Sequence, residues 1–322
     1  MNDASLYPPW AVRQRPIDRS PIDIEIIAGL CAAQAEISPK YFYDVKGSEL
    51  FERITRLPEY YPTRTEMAIM AEHAGDIAGR IGDGTTLIEL GAGNCEKARA
   101  LCALIEPKCF VAVDIASDFV RDAANGLRCT FPALDVRVVV ADLNDEIHIP
   151  SSVPPGQRLV FYPGSSIGNF DPVPALGLLS RIRGLLGDGG ALLVGVDLVK
   201  EQAVLEAAYN DAAGVTAAFN LNVLDHLNRL IGSDFDLGDW RHRAFFNRAQ
   251  SRIEMHLDAA TDTRVGWIGG ERYFRRGECI HTENSYKYSI DGFAALLDKA
   301  GFTQKFVWTD ARQWFAVFLA SV

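Results

Sequence analysis

Short apolar runs separated by amphipathic stretches fill the middle of the chain. Thr85–Leu90, Cys109–Asp114, Asp135–Ala141, Arg158–Tyr162 and Ala191–Val196 read as strands, because brief apolar runs bounded by turn residues suit strands buried on both faces. Between them Thr65–Ile81, Glu96–Ile105, Ser117–Thr130 and Pro172–Leu186 carry helical spacing, the first stopped by Gly82, Asp83 and Gly84. Parallel strands joined by helices predict an α/β protein with a doubly wound sheet. Upstream, the first twenty residues are rich in Pro and Arg and read as irregular, whereas Ile22–Ala35 reads as a helix.

The alternation stops near residue 200. Residues 200–231 are mostly helical, with Glu201–Asp211 and Ala212–Ile231 separated near Gly214. Residues 240–289 then read as extended segments, an antiparallel block foreign to a minimal parallel sheet. That block reads as an insertion sharing a second, α+β domain with the N-terminal segment. Ile290–Ala300 returns to helix, and Phe302–Thr309 with Gln313–Val322 forms a terminal hairpin. The expected boundaries are 61–196 and 287–322 for the parallel-sheet domain, and 15–60 and 197–286 for the second.

Composition excludes several functions. Over 322 residues, 48% hydrophobic and 23% charged, a core forms without disulfides or metals. Lys plus Arg total 32 against 42 Asp plus Glu, and the charge of −10 opposes binding to nucleic acid, which needs a cationic face. No apolar run approaches the roughly 20 residues of a membrane-spanning helix, so no membrane partner is expected. The N-terminus lacks a signal pattern, and a cytoplasmic location is expected. The cysteines at 31, 95, 102, 109, 129 and 279 contain no C-x-x-C pair and read as reduced packing residues. His73, His148, His226, His242, His256 and His281 have no metal-ligand spacing and read as helix or strand surface. No metal is expected, and no Ser-His-Asp or Cys-His arrangement can be placed.

Candidate chemistry gathers at the strand ends. Leu87-Ile88-Glu89-Leu90-Gly91-Ala92-Gly93-Asn94-Cys95-Glu96-Lys97 takes a buried strand through a glycine turn into a helix N-terminus. Backbone can approach a ligand closely where side chains are absent, and the helix end favours an anionic group. A dinucleotide turn wants a third glycine, where this chain has Glu96. The Glu-x-Gly-x-Gly form resembles the turn of S-adenosylmethionine-dependent methyltransferases, whose sheet is also closed by a hairpin. The next strand ends at Asp114, 23 residues beyond Gly91, where a carboxylate can accept both ribose hydroxyls. The third runs into Asp142-Leu143, an acceptor for an adenine amine and an apolar cover for its ring. Lys97 can pair with a cofactor carboxylate or stand as an ordinary first-turn lysine.

Longer strings are more specific. Tyr41-Phe42-Tyr43-Asp44, Gly47-Ser48-Glu49-Leu50-Phe51, Leu57-Pro58-Glu59-Tyr60-Tyr61-Pro62-Thr63-Arg64-Thr65-Glu66, Tyr162-Pro163-Gly164-Ser165-Ser166-Ile167-Gly168-Asn169-Phe170 and Ile280-His281-Thr282-Glu283-Asn284-Ser285 span nearly the whole chain. They resemble the histidine-specific methyltransferase family, whose best-known members trimethylate the α-amine of L-histidine to hercynine at the start of ergothioneine biosynthesis. The resemblance implies a class I, Rossmann-like methyltransferase sheet with a separate substrate-binding domain. It also implies S-adenosylmethionine as methyl donor, S-adenosylhomocysteine as its product, and L-histidine as the small-molecule substrate. It places cofactor contacts at Gly91, Lys97, Asp114, Asp142 and Leu143. Histidine contacts fall on Tyr60, Asn169, Tyr209, Met255, Glu283 and Ser285, with Tyr43 beside the reacting amine. Ala92, Asn94-Cys95 and Leu143 depart from the family's commoner residues, which bears on cofactor affinity.

The residue types suit that chemistry. Asn169 follows a glycine-rich loop after a strand, the usual place for a ligand-facing residue in an open α/β sheet, although a loop Asn can also serve local backbone. Glu283 and Ser285 are two apart, so on a strand they share a face and can serve the two nitrogens of an imidazole. The same alternation also suits a solvent face. Tyr60 and Tyr61 precede Pro62 and are expected in extended backbone, one reaching substrate while the other packs. Two other readings stay open, a methyltransferase for another amino acid such as tryptophan and a non-catalytic binding protein on this fold. The oligomeric state is also open, a monomer included.

Overall fold

The apolar runs become neighbours in one hydrogen-bonded sheet of seven strands. The computed structural model describes residues 13–14, 19–82 and 84–322. Most of the N-terminal segment expected to be irregular, and Asp83 of the expected helix stop, lie outside these residues. Strands β1 (Thr86–Leu90), β2 (Cys109–Asp114), β3 (Asp135–Val140), β4 (Arg158–Tyr162), β5 (Ala191–Asp197), β6 (Gln304–Thr309) and β7 (Phe315–Ser321) lie in the order β6-β7-β5-β4-β1-β2-β3. The first five are parallel. β7 enters antiparallel between β5 and β6 and so closes the sheet with the terminal hairpin.

Every residue of β1 and β5 is buried, which is why these strands read as continuous apolar runs. Alternate residues point to opposite faces. Ile88, Leu90, Val111, Val160 and Val194 join a core with the helices Pro172–Leu186 and Ile290–Lys299. Leu87, Phe110, Ala112, Phe161 and Leu193 join another, with helices Tyr61–Glu72, Ala74–Ile81, Glu96–Ile105 and Ser117–Thr130. The expected helix Thr65–Ile81 is thus two helices, starting at Tyr61 and broken at His73 (φ −104°, ψ 15°). Ile69 of the first and Ile77 of the second both lie in the core.

Contacts divide the chain into two compact units. The sheet unit comprises Tyr60–Glu201, Arg248–Arg252 and Ser285–Val322. The other holds the described residues up to Glu59, Gln202–Asn247 and Ile253–Asn284. In it Ala35–Glu36, Cys279–Tyr286, Arg252–Ala259 and Trp240–Asn247 make a four-stranded sheet, in that order. Strands Gly270–Phe274 and Thr263–Trp267 form a hairpin, which Arg13–Gln14 extends. Helix Pro21–Cys31 ends before the expected Ala35 because Ala35–Glu36 pairs in parallel with Ile280–His281. The later helices are Gln202–Tyr209 and Val215–Ile231. Helix Val45–Thr55 is capped by Asp44, which accepts from Gly47 N at 2.7 Å and from Asn222 at 2.8 Å. A Cβ on Gly47 would stand 1.7 Å from the Phe42 carbonyl oxygen, so the tight entry to this helix requires glycine. Among the described residues no helix is long and apolar enough to cross a membrane.

Candidate active site

Strand order in the large sheet reverses between β1 and β4, and ligands of open α/β sheets bind at the carboxyl ends beside such a point. The two glycine-bearing loops lie there. After β1 the chain turns through Gly91 (φ +66°), Gly93 (φ +50°) and Cys95 (φ +55°) into helix Glu96–Ile105. Gly91 and Ala92 donate to the Val113 carbonyl of β2 at 2.9 and 3.2 Å. A Cβ on Gly91 would meet nothing within 4 Å, so the turn leaves open space beside its backbone. Asp114, at the end of β2, accepts from Gly93 N at 2.8 Å and Ala116 N at 2.9 Å. Burial raises its pKa, against which these backbone donors pull. Asp142 follows β3 and accepts from the Asn144 backbone and side chain at 2.9 and 2.8 Å. Leu143 packs half-buried against the core.

Lys97 has a protein partner. Its Nζ lies 2.6 Å from Oε2 of Glu66, a buried residue of helix Tyr61–Glu72. The same carboxylate accepts from Gly164 N at 2.9 and 3.0 Å, tying the loop after β4 to the first turn of helix Glu96–Ile105. An ammonium has three donors, so this pair leaves Lys97 able to reach a further acceptor. Glu89 of the glycine turn is buried, with no hydrogen-bond partner for its Oε2 among the described residues. Burial raises its pKa well above the carboxylate range, opposed by Lys97.

The loop after β4 ends in a short helix, Ser166–Asn169. A Cβ on Gly168 would stand 2.8 Å from the Tyr286 carbonyl oxygen, so glycine lets the loop sit on that backbone. Asn169 is half-buried there. Tyr60 is buried at the start of helix Tyr61–Glu72, its carbonyl accepting from Arg64 at 3.0 Å. Tyr61, expected in extended backbone, is the first helical residue. It is a packing residue, its hydroxyl 2.8 Å from both oxygens of Asp197.

Asp197 ends β5, fully buried, and gathers a network that the sequence reading missed. Its oxygens lie 2.5 Å from Lys200 Nζ and 2.8 Å from Lys287 Nζ. Lys287 also donates to Ser285 Oγ at 2.8 Å, and Ser165 Oγ accepts from Asp197 N at 2.8 Å. Burial pushes the Asp197 carboxyl up, but Lys287 and Lys200 hold it below its ordinary value. Burial lowers the Lys200 ammonium to about 8, Asp197 resisting. The signal was available. Lys287 continues the two-residue alternation of Glu283 and Ser285, and Asp197 ends a buried strand as Asp114 does.

Of the remaining assigned residues, Tyr43, Tyr209, Met255 and Glu283 belong to the other unit. Tyr43 packs edge-on against Phe51 and Phe219, with ring centroids 5.8 and 5.9 Å away. Tyr209 ends helix Gln202–Tyr209, its carbonyl accepting from His242 Nε2 at 2.9 Å. Met255 is buried in strand Arg252–Ala259, and its carbonyl accepts from Thr282 at 3.0 Å. Glu283 is half-buried on strand Cys279–Tyr286, while Ser285 of that strand is buried and counts with the sheet unit.

Two histidines depart from the expected surface role. His242 takes a donated hydrogen bond from Asn220 at 2.8 Å, and burial lowers its pKa against the Tyr209 carbonyl. His256 is buried, stacked between Phe245 and His281 at 5.4 and 4.8 Å, and bonded to Glu254 at 3.0 Å. Ligand atoms of Glu254, His256 and His281 lie within 4.8 Å of one another. The two imidazole rings lie near-parallel, 20° apart.

A sheet in this order, with a glycine turn after its first strand and an acid ending its second, is that of a class I S-adenosylmethionine-dependent methyltransferase. The family described as histidine-specific, S-adenosylmethionine-dependent methyltransferases matches residues 22–322, and the chain belongs to it. A histidine N-alpha-methyltransferase of Mycolicibacterium smegmatis is 41% identical over 302 residues, 92% of this chain and 93% of that protein. One from Mycobacterium tuberculosis is 37% identical over 304 residues, 92% and 94% of the two chains. Ergothioneine biosynthesis protein 1 of Neurospora crassa is 33% identical over 277 residues, 83% of this chain and 31% of that protein.

Proposed function

We propose that this protein transfers methyl groups from S-adenosylmethionine to the α-amine of L-histidine, carrying it to the trimethylated betaine hercynine for ergothioneine synthesis. The observation that carries this reading is the 41% identity to a histidine N-alpha-methyltransferase across 92% of the chain. The turn fits the cofactor, because a Cβ on Gly91 would point into open space beside the Asp114 carboxylate's strand end. Gly91, Lys97, Asp114, Asp142 and Leu143 would hold it. When bound, it supplies a methyl group already activated by its sulfonium centre.

What remains for the chain is positioning and desolvation. Asn169 and Tyr209 hold the carboxylate end of histidine, Glu283 and Ser285 hold the ring, and Tyr60 and Met255 supply further substrate contacts. Tyr43 orients the amine, which must be unprotonated to attack. With the ring held away from the donor, methyl groups accumulate on the α-amine alone. Mass spectrometry of histidine incubated with the protein and S-adenosylmethionine checks this. One to three methyl additions on the amine are expected, and fragments carrying methyl on the imidazole would reverse the assigned orientation.

Asp114→Ala tests the cofactor end. Charge-assisted hydrogen bonds are worth roughly 1.5–3 kcal/mol, so affinity for S-adenosylhomocysteine is expected to fall by about tenfold or more. Calorimetry returning wild-type affinity would remove Asp114 from the ribose site.

A further inference from the structure

Glu66 is fully buried on helix Tyr61–Glu72, and glycines make the room for it. A Cβ on Gly195 of β5 would stand 1.9 Å from Glu66 Oε1, so the strand carries no side chain where the carboxylate lies. Both carboxylate oxygens accept from Gly164 N, in the loop after β4, and Oε2 also meets Lys97 Nζ at 2.6 Å. Gly164 yields space to the lysine in turn, since a Cβ there would stand 3.1 Å from Nζ. The two side chains differ in exposure, 1% for Glu66 and 20% for Lys97, so the pair has a dry side and an open one. These residues all belong to the sheet unit.

A lysine is a compact charge on a flexible stem, so whatever holds its ammonium sets where it points. Glu89 is a rival holder. Its buried carboxyl has no partner for Oε2 among the described residues, and Lys97 opposes the rise that burial gives its pKa. We propose that Glu66 is a positioning residue for the cofactor, holding Lys97 off Glu89 and turning the ammonium's remaining donors to the cofactor carboxylate. This rests on the assignment of Lys97 to the cofactor site above. In Glu66→Gln the volume and one carbonyl acceptor remain, but the charge that fixes Lys97 is gone, and the ammonium turns to Glu89. Charge alone argues the reverse. Removing an anion from beside Lys97 makes the site more positive and would tighten its hold on a ligand carboxylate. The sign of the effect therefore separates positioning from charge.

The test compares S-adenosylhomocysteine with 5′-methylthioadenosine, which keeps the nucleoside and the sulfur but lacks the amino-acid end. By calorimetry, Glu66→Gln is expected to bind S-adenosylhomocysteine about tenfold more weakly than wild type, the order of one lost charge-assisted hydrogen bond. Its affinity for 5′-methylthioadenosine should stay within about twofold of wild type. A Glu66 that merely staples the fold would weaken both ligands alike, and that result overturns the inference. So does wild-type or tighter binding of S-adenosylhomocysteine. A crystal structure of the wild type with S-adenosylhomocysteine covers the case in which the variant does not fold. There Lys97 Nζ is expected to keep Glu66 while bonding the ligand carboxylate, and a lysine that has left Glu66 overturns the inference. Lys97→Met binding S-adenosylhomocysteine as tightly as wild type would instead defeat the cofactor assignment on which it rests.

Discussion

Replacing Asp197 by alanine is expected to lower the melting temperature by roughly 6–20 °C. The carboxylate is fully buried and answers two buried lysines, Lys200 and Lys287, as well as the Tyr61 hydroxyl. Removing one partner of a buried ion pair leaves an uncompensated charge and costs about 3–5 kcal/mol. For a domain of this size each kcal/mol shifts the midpoint by about 2–4 °C. Asp197→Asn, which keeps an acceptor and the volume, should fall between. Thermal denaturation showing Asp197→Ala within about 2 °C of wild type would mean that the network adds nothing to stability. The pH dependence follows from the directions of the shifts. Because the folded Asp197 value is lowered, its contribution is present above the ordinary value of about 3.9 and is lost as pH falls through the folded one. Lys200 acts in the opposite sense. With a folded value of about 8, it binds its proton less readily than in the unfolded chain, and its contribution improves as pH rises from there toward about 10.4.

Glu283→Ala is expected to reduce kcat/KM for histidine by roughly 10–150-fold while leaving S-adenosylhomocysteine affinity near wild type. The range corresponds to one hydrogen bond to a charged group, about 1.5–3 kcal/mol. A site that hydrogen-bonds its substrate rejects analogues lacking the matching group, so the preference for histidine over tryptophan should narrow together with that loss. Met255 is buried one strand away, and Met255→Val in the same chain should help the larger ring further. Steady-state kinetics with both amino acids, in wild type and in the single and double variants, provide the check. A histidine-to-tryptophan ratio that does not move would make Glu283 a plain strand residue and defeat the ring-binding assignment.

The parallel sheet was legible because strands buried on both faces cannot hide among polar residues. Leu87–Leu90, Phe110–Val113 and Ala191–Val196 announce themselves as apolar runs, and the glycine turn and Asp114 follow at their ends. Helix ends set by distant partners were not legible. Nothing local stops Pro21–Cys31 short of Ala35, since the cause is pairing with a strand at Ile280. The break at His73 carries no proline or glycine at that position to announce it. At the candidate site, residue types were readable but their partners were not. Lys97 was a lysine of two readings until Glu66, 31 residues earlier, stood beside it. Lys200 and Lys287 defeat the usual assumption that charge means solvent, because the buried Asp197 carboxylate makes their burial tolerable.

The place of β7 between β5 and β6 governs how the molecule is assembled in time. All seven of its residues pair with β5 and six of them with β6, and six are buried, yet they come late in the described sequence. Until Phe315–Ser321 arrive, β5 presents an unpaired and largely apolar edge, and Phe318 is missing from one core and Phe315 from the other. A contact so distant in sequence is slow to form, and an open apolar strand edge is a template for association with another chain. β7 is thus the bolt of the sheet, covering the β5 edge and joining the last hairpin to the parallel strands.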